Sequence, residues 1–221
     1  MIAGAYLIGS LPHLQWLAKL RGIELSGDYH QDLWHRGGKI IGVGGVVGEF
    51  AKGIVAVLVA RALGFDIEVV TFAGVTAVCG QMWPVFNGFD GEKGNSIAIA
   101  MMVTLVPVPG LVAIIPVLAA VIIRTTSRLM NRSSKDVRII GGAYSRVLPV
   151  GMLICFLALP FSAWGFGEDL VVVMSLAALF VLIMVRRLTA GLDEDLKSGN
   201  NAGRIVLLRL LYDRASVSWR E

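Results

Sequence analysis

Long apolar blocks alternate with short polar segments along most of this chain. A helix needs about 20 mostly apolar residues to cross a membrane, or somewhat fewer where helices pack irregularly. Seven segments fit this pattern, at residues 2–20, 40–60, 69–86, 96–108, 111–123, 139–161 and 170–185. The pattern therefore predicts an all-α integral membrane protein with seven transmembrane helices.

The number of spans depends on the short sequence PVPG at residues 107–110. Proline disrupts a continuing helix and glycine favours turns, so this sequence favours a tight hairpin between two helices over one kinked helix. If the two flanking segments formed one helix, the count would fall to six.

Composition agrees with the apolar pattern. The chain has 221 residues, of which 56% are hydrophobic and 16% are charged. Soluble domains are roughly 45–50% apolar and about 25% charged, so an ordinary soluble domain is excluded. No nucleic-acid partner is expected. Cys79 and Cys155 lie inside apolar blocks and are expected to pack there rather than to form a disulfide or a metal site.

Positive charges are distributed unevenly over the predicted connections. With seven spans, most of the 20 lysines and arginines fall on one side, whereas the other side receives only Arg61. Basic residues accumulate on the cytoplasmic side of membrane proteins. The asymmetry predicts an outside amino terminus, a cytoplasmic carboxyl terminus, and three polar loops at the inner face of the cytoplasmic (inner) membrane.

Two domains are predicted from this arrangement. Residues 1–190 form the transmembrane domain, and residues 191–221 form a cytoplasmic amphipathic tail. The tail sequence AGRIVLLRLLYDR places basic residues beside a leucine-rich face. Such a segment lies on the anionic membrane surface or packs as a short helix on the inner loops, and the sequence leaves both interpretations open.

The first predicted inner loop, residues 22–39, concentrates side chains that can do chemistry. These include Ser26, Asp28, His30, Asp32 and His35. Serine, histidine and aspartate together suggest nucleophilic catalysis, and a zinc site built from the two histidines and Asp32 is conceivable. A solvated polar loop is the simpler interpretation. We expect no metal, because the loop offers no further set of ligands.

Two other segments carry charge at unusual places. Glu49 and Lys52 lie three residues apart in the second predicted span, where charges are costly and usually paired or functional. They either pair with each other or Lys52 faces the polar centre of the bundle. The loop NGFDGEKGN, residues 87–95, is glycine-rich and contains Lys93, as in loops that bind phosphate. The alternative is an ordinary turn at the membrane edge with a snorkelling lysine.

Four blocks of the chain together resemble a known family. They are AYLIGSLPHLQWLAKLRGIEL at residues 5–25, GEFAKG at 48–53, GQMWPVFNGFDGEKG at 80–94 and MVRRLTAGLD at 184–193. Their order and content are similar to the bacterial acyl-phosphate:glycerol-3-phosphate acyltransferases, the PlsY family, with the third block as the most specific. This family also has seven spans and an outside amino terminus.

The resemblance implies an integral enzyme that transfers a fatty acyl group from acyl phosphate to position 1 of glycerol 3-phosphate. The product is lysophosphatidic acid, an early intermediate of phospholipid synthesis. Acyl phosphate is a co-substrate, so no cofactor is implied. Membrane lipids and an enzyme that produces acyl phosphate are the implied partners.

The resemblance also implies a set of site residues. Ser26 and Asp28 correspond to catalytic positions in the first loop. The residues that would bind substrate phosphate are Arg36, Lys52, Gly91, Lys93, Gly94 and Arg187.

The chain departs from the family pattern at several motif positions. Gln81 replaces a histidine, Asp90 and Glu92 replace a lysine and a glycine, and apolar residues at 181 and 184 replace a histidine and an asparagine. Three interpretations therefore stay open. The chain is an acyltransferase with a rearranged site, an acyltransferase for another acceptor, or an inactive paralogue that binds lipid or a partner.

Overall fold

The computed structural model describes residues 1–25, 29–130, 145–197 and 201–213, and its regular structure there is helical. The helices are α1 (Ile2–Ser10), α2 (His13–Leu20), α3 (Tyr29–His35), α4 (Lys39–Ala62), α5 (Ile67–Met82), α6 (Asn95–Leu105), α7 (Pro107–Ala113), α8 (Ile115–Met130), α9 (Val147–Gly165), α10 (Leu170–Thr189), α11 (Leu192–Lys197) and α12 (Ala202–Tyr212). A short 3-10 helix, Val85–Asn87, follows α5.

The first predicted span is two helices rather than one. Helix α1 ends at Ser10 and α2 begins at His13, and the chain is extended at Leu11, with φ −57° and ψ 125°. A proline disfavours helical conformation in the residue before it and lacks the N–H that would continue the helix. Pro12 therefore explains the break, and the prediction of one continuous helix over residues 2–20 is wrong.

The predicted hairpin near PVPG is present, but it lies earlier in the chain. Val106 alone separates α6 from α7, and Pro107 starts the second helix. Proline is well tolerated in a first helical turn, where its missing N–H costs nothing. A Cβ atom on Gly110 would lie 2.9 Å from the Met102 carbonyl oxygen, so α7 packs back closely onto α6. The predicted span at residues 111–123 is replaced by a longer apolar element, Pro107–Met130.

The sixth predicted span also shifts. Residues 131–144, which include the start of the predicted segment at 139–161, lie outside the described residues. Helix α9 begins only at Val147, so Arg146, which was predicted inside the span, precedes the helix. A guanidinium at the end of an apolar helix avoids the cost of a charge at the bilayer centre.

Within the residues that the structure describes, five helical elements are long and apolar enough to cross a membrane. They are Lys39–Ala62, Ile67–Asn87, Pro107–Met130, Val147–Gly165 and Leu170–Thr189. Helix α6, with 11 residues, is shorter. The predicted all-helical, multi-pass class is therefore confirmed at the level of five candidate spans.

Small residues bring the amino-terminal helices into close contact. Helix α5 packs against α1 and α4, and α6 packs on α4. A Cβ atom on Gly9 would lie 2.0 Å from the Ala77 carbonyl oxygen, and one on Gly53 would lie 2.5 Å from that of Ile97. Glycines at these contacts allow backbones to approach as they do in membrane helix pairs.

The carboxyl-terminal helices form the other part of the bundle. Helix α9 packs against α7, α8 and α10, and α10 also contacts α5. Helix α12 packs on α9 and α10, with Ile205 and Arg209 buried. The tail helix is thus in contact with the bundle helices.

Candidate functional site

A small cavity lies where the break between α1 and α2 faces α4 and the loop after α5. It encloses about 50 Å³, which is enough for a few water molecules. The lining residues come from three places: the break (Gly9–Gln15), helix α4 (Glu49 and Lys52), and the segment around the end of α5 (Gln81, Pro84, Asn87, Gly91 and Glu92), together with Tyr29. The cavity therefore joins three of the sequence blocks singled out above.

Lys52 is held at this cavity by the break in the first helix pair. Its Nζ donates to the Leu11 carbonyl oxygen at 2.7 Å and to the Gly9 carbonyl oxygen at 3.3 Å. The last carbonyls of a helix have no partner within the helix, so the break supplies acceptors inside the bundle. Of the two alternatives left open by the sequence, Lys52 thus faces the polar centre of the bundle.

His30 lies beside Glu49 and Glu92, which come from two other parts of the chain. Its Nε2 is 3.3 Å from Glu49 Oε2 and 3.7 Å from Glu92 Oε2. Burial lowers the pKa of His30, but the two carboxylates outweigh burial and raise it to about 10. Burial and the nearby Glu49 charge raise the pKa of Glu92. The cluster therefore carries an imidazolium between two acidic side chains.

The loop that carries Glu92 is fixed at both sides. The Glu92 N–H donates to the Gln81 carbonyl oxygen at 3.0 Å, and Gln81 Nε2 donates to Glu92 Oε2 at 3.1 Å. From α10, Arg186 forms an ion pair with Asp90 at 2.8 Å and donates to the carbonyl oxygens of Gly91 and Glu92. The departures from the family pattern at residues 81, 90 and 92 therefore belong to one bonded network.

A second buried group of charges lies under the tail helix. Arg187 is 1% exposed and donates to the carbonyl oxygens of Pro149 and Leu210 at 3.3 Å. Arg209 donates to the carbonyl oxygens of Arg187 and Ala190, at the carboxyl end of α10, and pairs with Asp195. Apart from that of Pro149, in the first turn of α9, these carbonyls lie at the carboxyl ends of helices, which leave them without partners.

The structure brings only some of the predicted site residues to the cavity. Lys52 and Gly91 line it. The other described members of the predicted phosphate-binding set, Arg36, Lys93, Gly94 and Arg187, are not among the lining residues. The predicted catalytic residues Ser26 and Asp28 lie outside the described residues.

Three of these residues have other roles in the structure. Arg36 is exposed and donates to the Glu24 carbonyl oxygen at 2.8 Å. Lys93 pairs with Asp213 of the tail at 2.6 Å. Gly94 precedes α6 with φ 78°, a left-handed conformation that favours glycine. Their assignment to substrate phosphate stays a prediction.

The sequence did not indicate that His30, Glu49 and Glu92 would meet. Each residue was conspicuous for its own reason: a histidine in a polar loop, a carboxylate inside a span and an acid in a glycine-rich loop. The strongest sequence signal for the site was the pair of charged residues Glu49 and Lys52 within one predicted span, because a charge buried in a span needs a partner elsewhere.

The apolar residues at two family motif positions do not reach the cavity. Val181 is 56% exposed on α10, and Met184 packs against the main apolar core. Neither is among the lining residues.

The fold and the cavity define a multi-pass helical membrane protein with a polar cavity between its helices. Residues 1–191 match the model of the glycerol-3-phosphate acyltransferase family. The chain belongs to this family, so the family resemblance predicted from the sequence blocks is confirmed.

Relatives and solved structures agree with the match. "Glycerol-3-phosphate acyltransferase 4" from Dehalococcoides mccartyi (strain CBDB1) is 27% identical, covering 97% of this chain and 88% of the relative. Glycerol-3-phosphate acyltransferase from Geobacter sulfurreducens is 29% identical, covering 90% and 97%. A crystal structure of PlsY, an integral membrane glycerol 3-phosphate acyltransferase, in its lysophosphatidic acid form has a TM-score of 0.65 at 24% identity and covers 90% of this chain and 92% of that chain. At that identity, the likeness shows the fold.

Proposed function

We propose that this chain is a membrane glycerol-3-phosphate acyltransferase with acyl phosphate as donor. The hydroxyl oxygen at position 1 of glycerol 3-phosphate attacks the acyl carbon, the bond from that carbon to the phosphate oxygen breaks, and the hydroxyl proton ends on the released phosphate. The products are lysophosphatidic acid and inorganic phosphate. A reaction that makes acyl phosphate must supply the donor, which implies an acyl-phosphate-producing enzyme as a partner.

One observation carries this proposal from the family to the present chain. The family blocks that contain the helix break, Lys52 and Gly91 meet at a single cavity. Tyr29, the residue that follows Asp28 in sequence, also lines it. This convergence supports the cavity as the place where the proposed substrates bind, and Lys52 is its one described lysine or arginine.

Purified protein in detergent tests the proposal directly. With palmitoyl phosphate and glycerol 3-phosphate as substrates, we expect lysophosphatidic acid, measured by mass spectrometry, together with one equivalent of inorganic phosphate. Palmitoyl-coenzyme A in place of palmitoyl phosphate serves as the donor control and is expected to give no product. Folded protein that forms no acyl product with any acceptor contradicts the assignment as an enzyme and supports the inactive paralogue.

A second acceptor is the alternative that the structure favours most. The cavity contains two carboxylates, Glu49 and Glu92, and these repel the phosphate of glycerol 3-phosphate. Neutral glycerol and the monoester glycerol 3-phosphate, offered at equal concentration, separate the alternatives. A larger kcat/KM for glycerol indicates another acceptor, whereas a larger value for glycerol 3-phosphate supports the main proposal.

The proposed orientation places this cavity at the cytoplasmic face. The broken pair α1–α2 and the short α6 would supply the two crossings beyond the five long helices, which gives seven spans with the amino terminus outside. The uneven distribution of lysine and arginine supports this topology. Cysteine labelling tests this topology. In a variant that lacks Cys79 and Cys155, a single cysteine is introduced at one terminus or the other, and intact cells are treated with a thiol reagent that cannot cross the membrane. Labelling at the amino terminus alone is expected, and labelling at the carboxyl terminus contradicts it.

A further inference from the structure

Three side chains of metal-ligating type converge beside the cavity from three separate parts of the chain. His30 is on α3, Glu49 is on α4, and Glu92 is in the loop between α5 and α6. One ligand atom from each lies within 4.8 Å of the other two. Glu49 and Glu92 also line the cavity, so the cluster borders the space in which a small ligand can bind.

The spacing of these atoms fits coordination better than hydrogen bonding. Good N–H···O hydrogen bonds have donor–acceptor distances of roughly 2.7–3.2 Å. The distances from His30 Nε2 are 3.3 Å to Glu49 and 3.7 Å to Glu92. Ligands held about 2.0–2.2 Å from a tetrahedral ion are roughly 3.3–3.6 Å apart, which matches the His30–Glu49 distance and is close to the His30–Glu92 distance.

An unsatisfied buried oxygen points to the same conclusion. Glu49 is 1% exposed, yet its Oε2 atom, the one nearest to His30, has no hydrogen-bond partner. This oxygen has lost water and has only the 3.3 Å charge contact with His30 in its place, so its burial remains costly. A bound cation would remove that cost.

Gln81 offers a further ligand at the same place. Its Oε1 atom is buried without a hydrogen-bond partner, and its Nε2 atom is 3.1 Å from Glu92 Oε2. A half turn of the amide about its last bond exchanges these two atoms. The exchange gives up the hydrogen bond from Nε2 to Glu92 and places the amide oxygen about 3.1 Å from that carboxylate oxygen, where a shared ion would hold the two together.

We propose that His30, Glu49 and Glu92 bind one divalent cation of the zinc class, which displaces the Nε2 proton of His30 to solvent, with Gln81 as a neighbouring oxygen donor. An imidazole combined with carboxylates favours zinc, manganese or iron over calcium and magnesium, which prefer sites made of oxygen alone. This site differs from the zinc site considered in the first loop, because His35 of that set is exposed and the other two ligands here come from distant elements.

The cation also has an electrostatic consequence that rests on the proposed function. A cavity that receives phosphate should not present two carboxylates, and with His30 neutral as a ligand a divalent ion offsets both of their charges. It would leave a Lewis-acidic centre next to Lys52 that can bind a phosphate oxygen. Metal binding itself does not require this activity.

Metal content and cobalt binding test the site without any substrate. Protein is purified without chelator, and bound zinc, manganese and iron are measured by mass spectrometry after desalting. Chelator-treated protein is then titrated with Co²⁺, whose visible absorption intensifies in tetrahedral coordination. We expect one equivalent per chain and a saturable band. His30→Asn and Glu49→Gln should each weaken cobalt binding by more than the roughly 10–100-fold typical for losing a second-shell partner.

Matched variants separate loss of a ligand from loss of charge. His35→Asn removes an exposed histidine from the same helix, and Glu68→Gln removes an exposed carboxylate from the first turn of α5. Both should bind cobalt as the unmodified chain does. Absence of stoichiometric metal and of a cobalt band in the unmodified protein overturns the proposal, as does equal loss of binding in the control variants. Because no substrate is present, failure of the acyltransferase assay leaves this result unaffected.

Discussion

Two regions of the bundle contain buried charged or polar side chains. Around the cavity, Glu49 and Gln81 each have a side-chain oxygen without a hydrogen-bond partner. In the arginine region, under the tail helix, Arg187 and Arg209 donate from their guanidinium groups to backbone carbonyls. Both regions place charge inside an apolar bundle. The difference is what remains for a ligand. Both regions keep buried polar atoms without a hydrogen-bond partner, since the Nε atoms of Arg187 and Arg209 also lack one. The cavity adds empty volume beside such atoms, whereas the terminal nitrogens of the arginines are used on backbone carbonyls. Buried charge alone therefore does not identify a site.

The largest effect is expected from a substitution in the arginine region, and it is a loss of stability. Arg187→Leu removes the donors to the Pro149 and Leu210 carbonyls, and we expect it to lower the free energy of unfolding by about 3 kcal/mol because those groups lose partners. Thermal unfolding in detergent measures the loss. Arg36→Leu, at an exposed position, is the control and should change stability by less than about 0.5 kcal/mol. Unchanged stability together with a raised KM for a phosphate substrate would instead place Arg187 at the substrate.

The next effect is expected at the cavity. Lys52→Met removes its one described lysine or arginine, and we expect kcat/KM for glycerol 3-phosphate to fall about 100-fold, or about 2.7 kcal/mol of transition-state stabilisation. Lys19→Met, at an exposed position in α2, is the matched control and should retain activity. If both variants are equally active, the cavity is not the site of catalysis.

A glycine substitution tests how the cavity depends on helix packing. Gly9→Ala places a Cβ atom 2.0 Å from the Ala77 carbonyl oxygen, which forces α1 away from α5. We expect a loss of about 2 kcal/mol in stability, as is usual for overpacking. On the same helix, a Cβ atom on Gly4 meets nothing within 4 Å, so Gly4→Ala should stabilise the protein by about 0.5–1 kcal/mol. Equal thermal stability of the two variants would contradict the close contact.

The smallest effect concerns a residue between the two regions. The side chain of Lys93 is 36% exposed and pairs with Asp213, and such ion pairs contribute about 0–1 kcal/mol. Lys93→Ala should therefore leave thermal unfolding nearly unchanged. The KM values of this variant show whether Lys93 contacts substrate. An increase for either phosphate substrate assigns Lys93 to the cavity site, and unchanged values assign it to the contact with the tail. Asp213→Asn, which removes only the partner charge, is the control.

The local sequence predicted where helices begin and end better than it predicted how the helices contact one another. Pro12 and Pro107 both mark helix boundaries, and the sequence could have placed the first break, because Leu11 precedes a proline within an apolar run. The predicted role of Arg187 came from a family motif. Its actual surroundings depend on α9 and on the tail helix, which covers it from 23 residues further along the chain.

The cavity could be predicted only in part, for a similar reason. Glu49 and Lys52 were recognisable as buried charges in need of partners, but those partners lie far away in sequence. His30, Glu92 and the carbonyls of the α1–α2 break reach them only through the packing of α3, α4 and α5. No periodicity within a single segment encodes such a meeting, since it depends on glycines that set how closely the helices approach.

The break between α1 and α2 has a consequence for biogenesis. Helix α4 carries Glu49 and Lys52, and a helix with two charges inserts poorly into lipid by itself. The carbonyl oxygens that accept from Lys52 belong to residues 9 and 11, so they are synthesised earlier and are already available when α4 emerges. We therefore expect a chain shortened at its amino terminus to insert α4 less efficiently, because Lys52 would lose both of these acceptors.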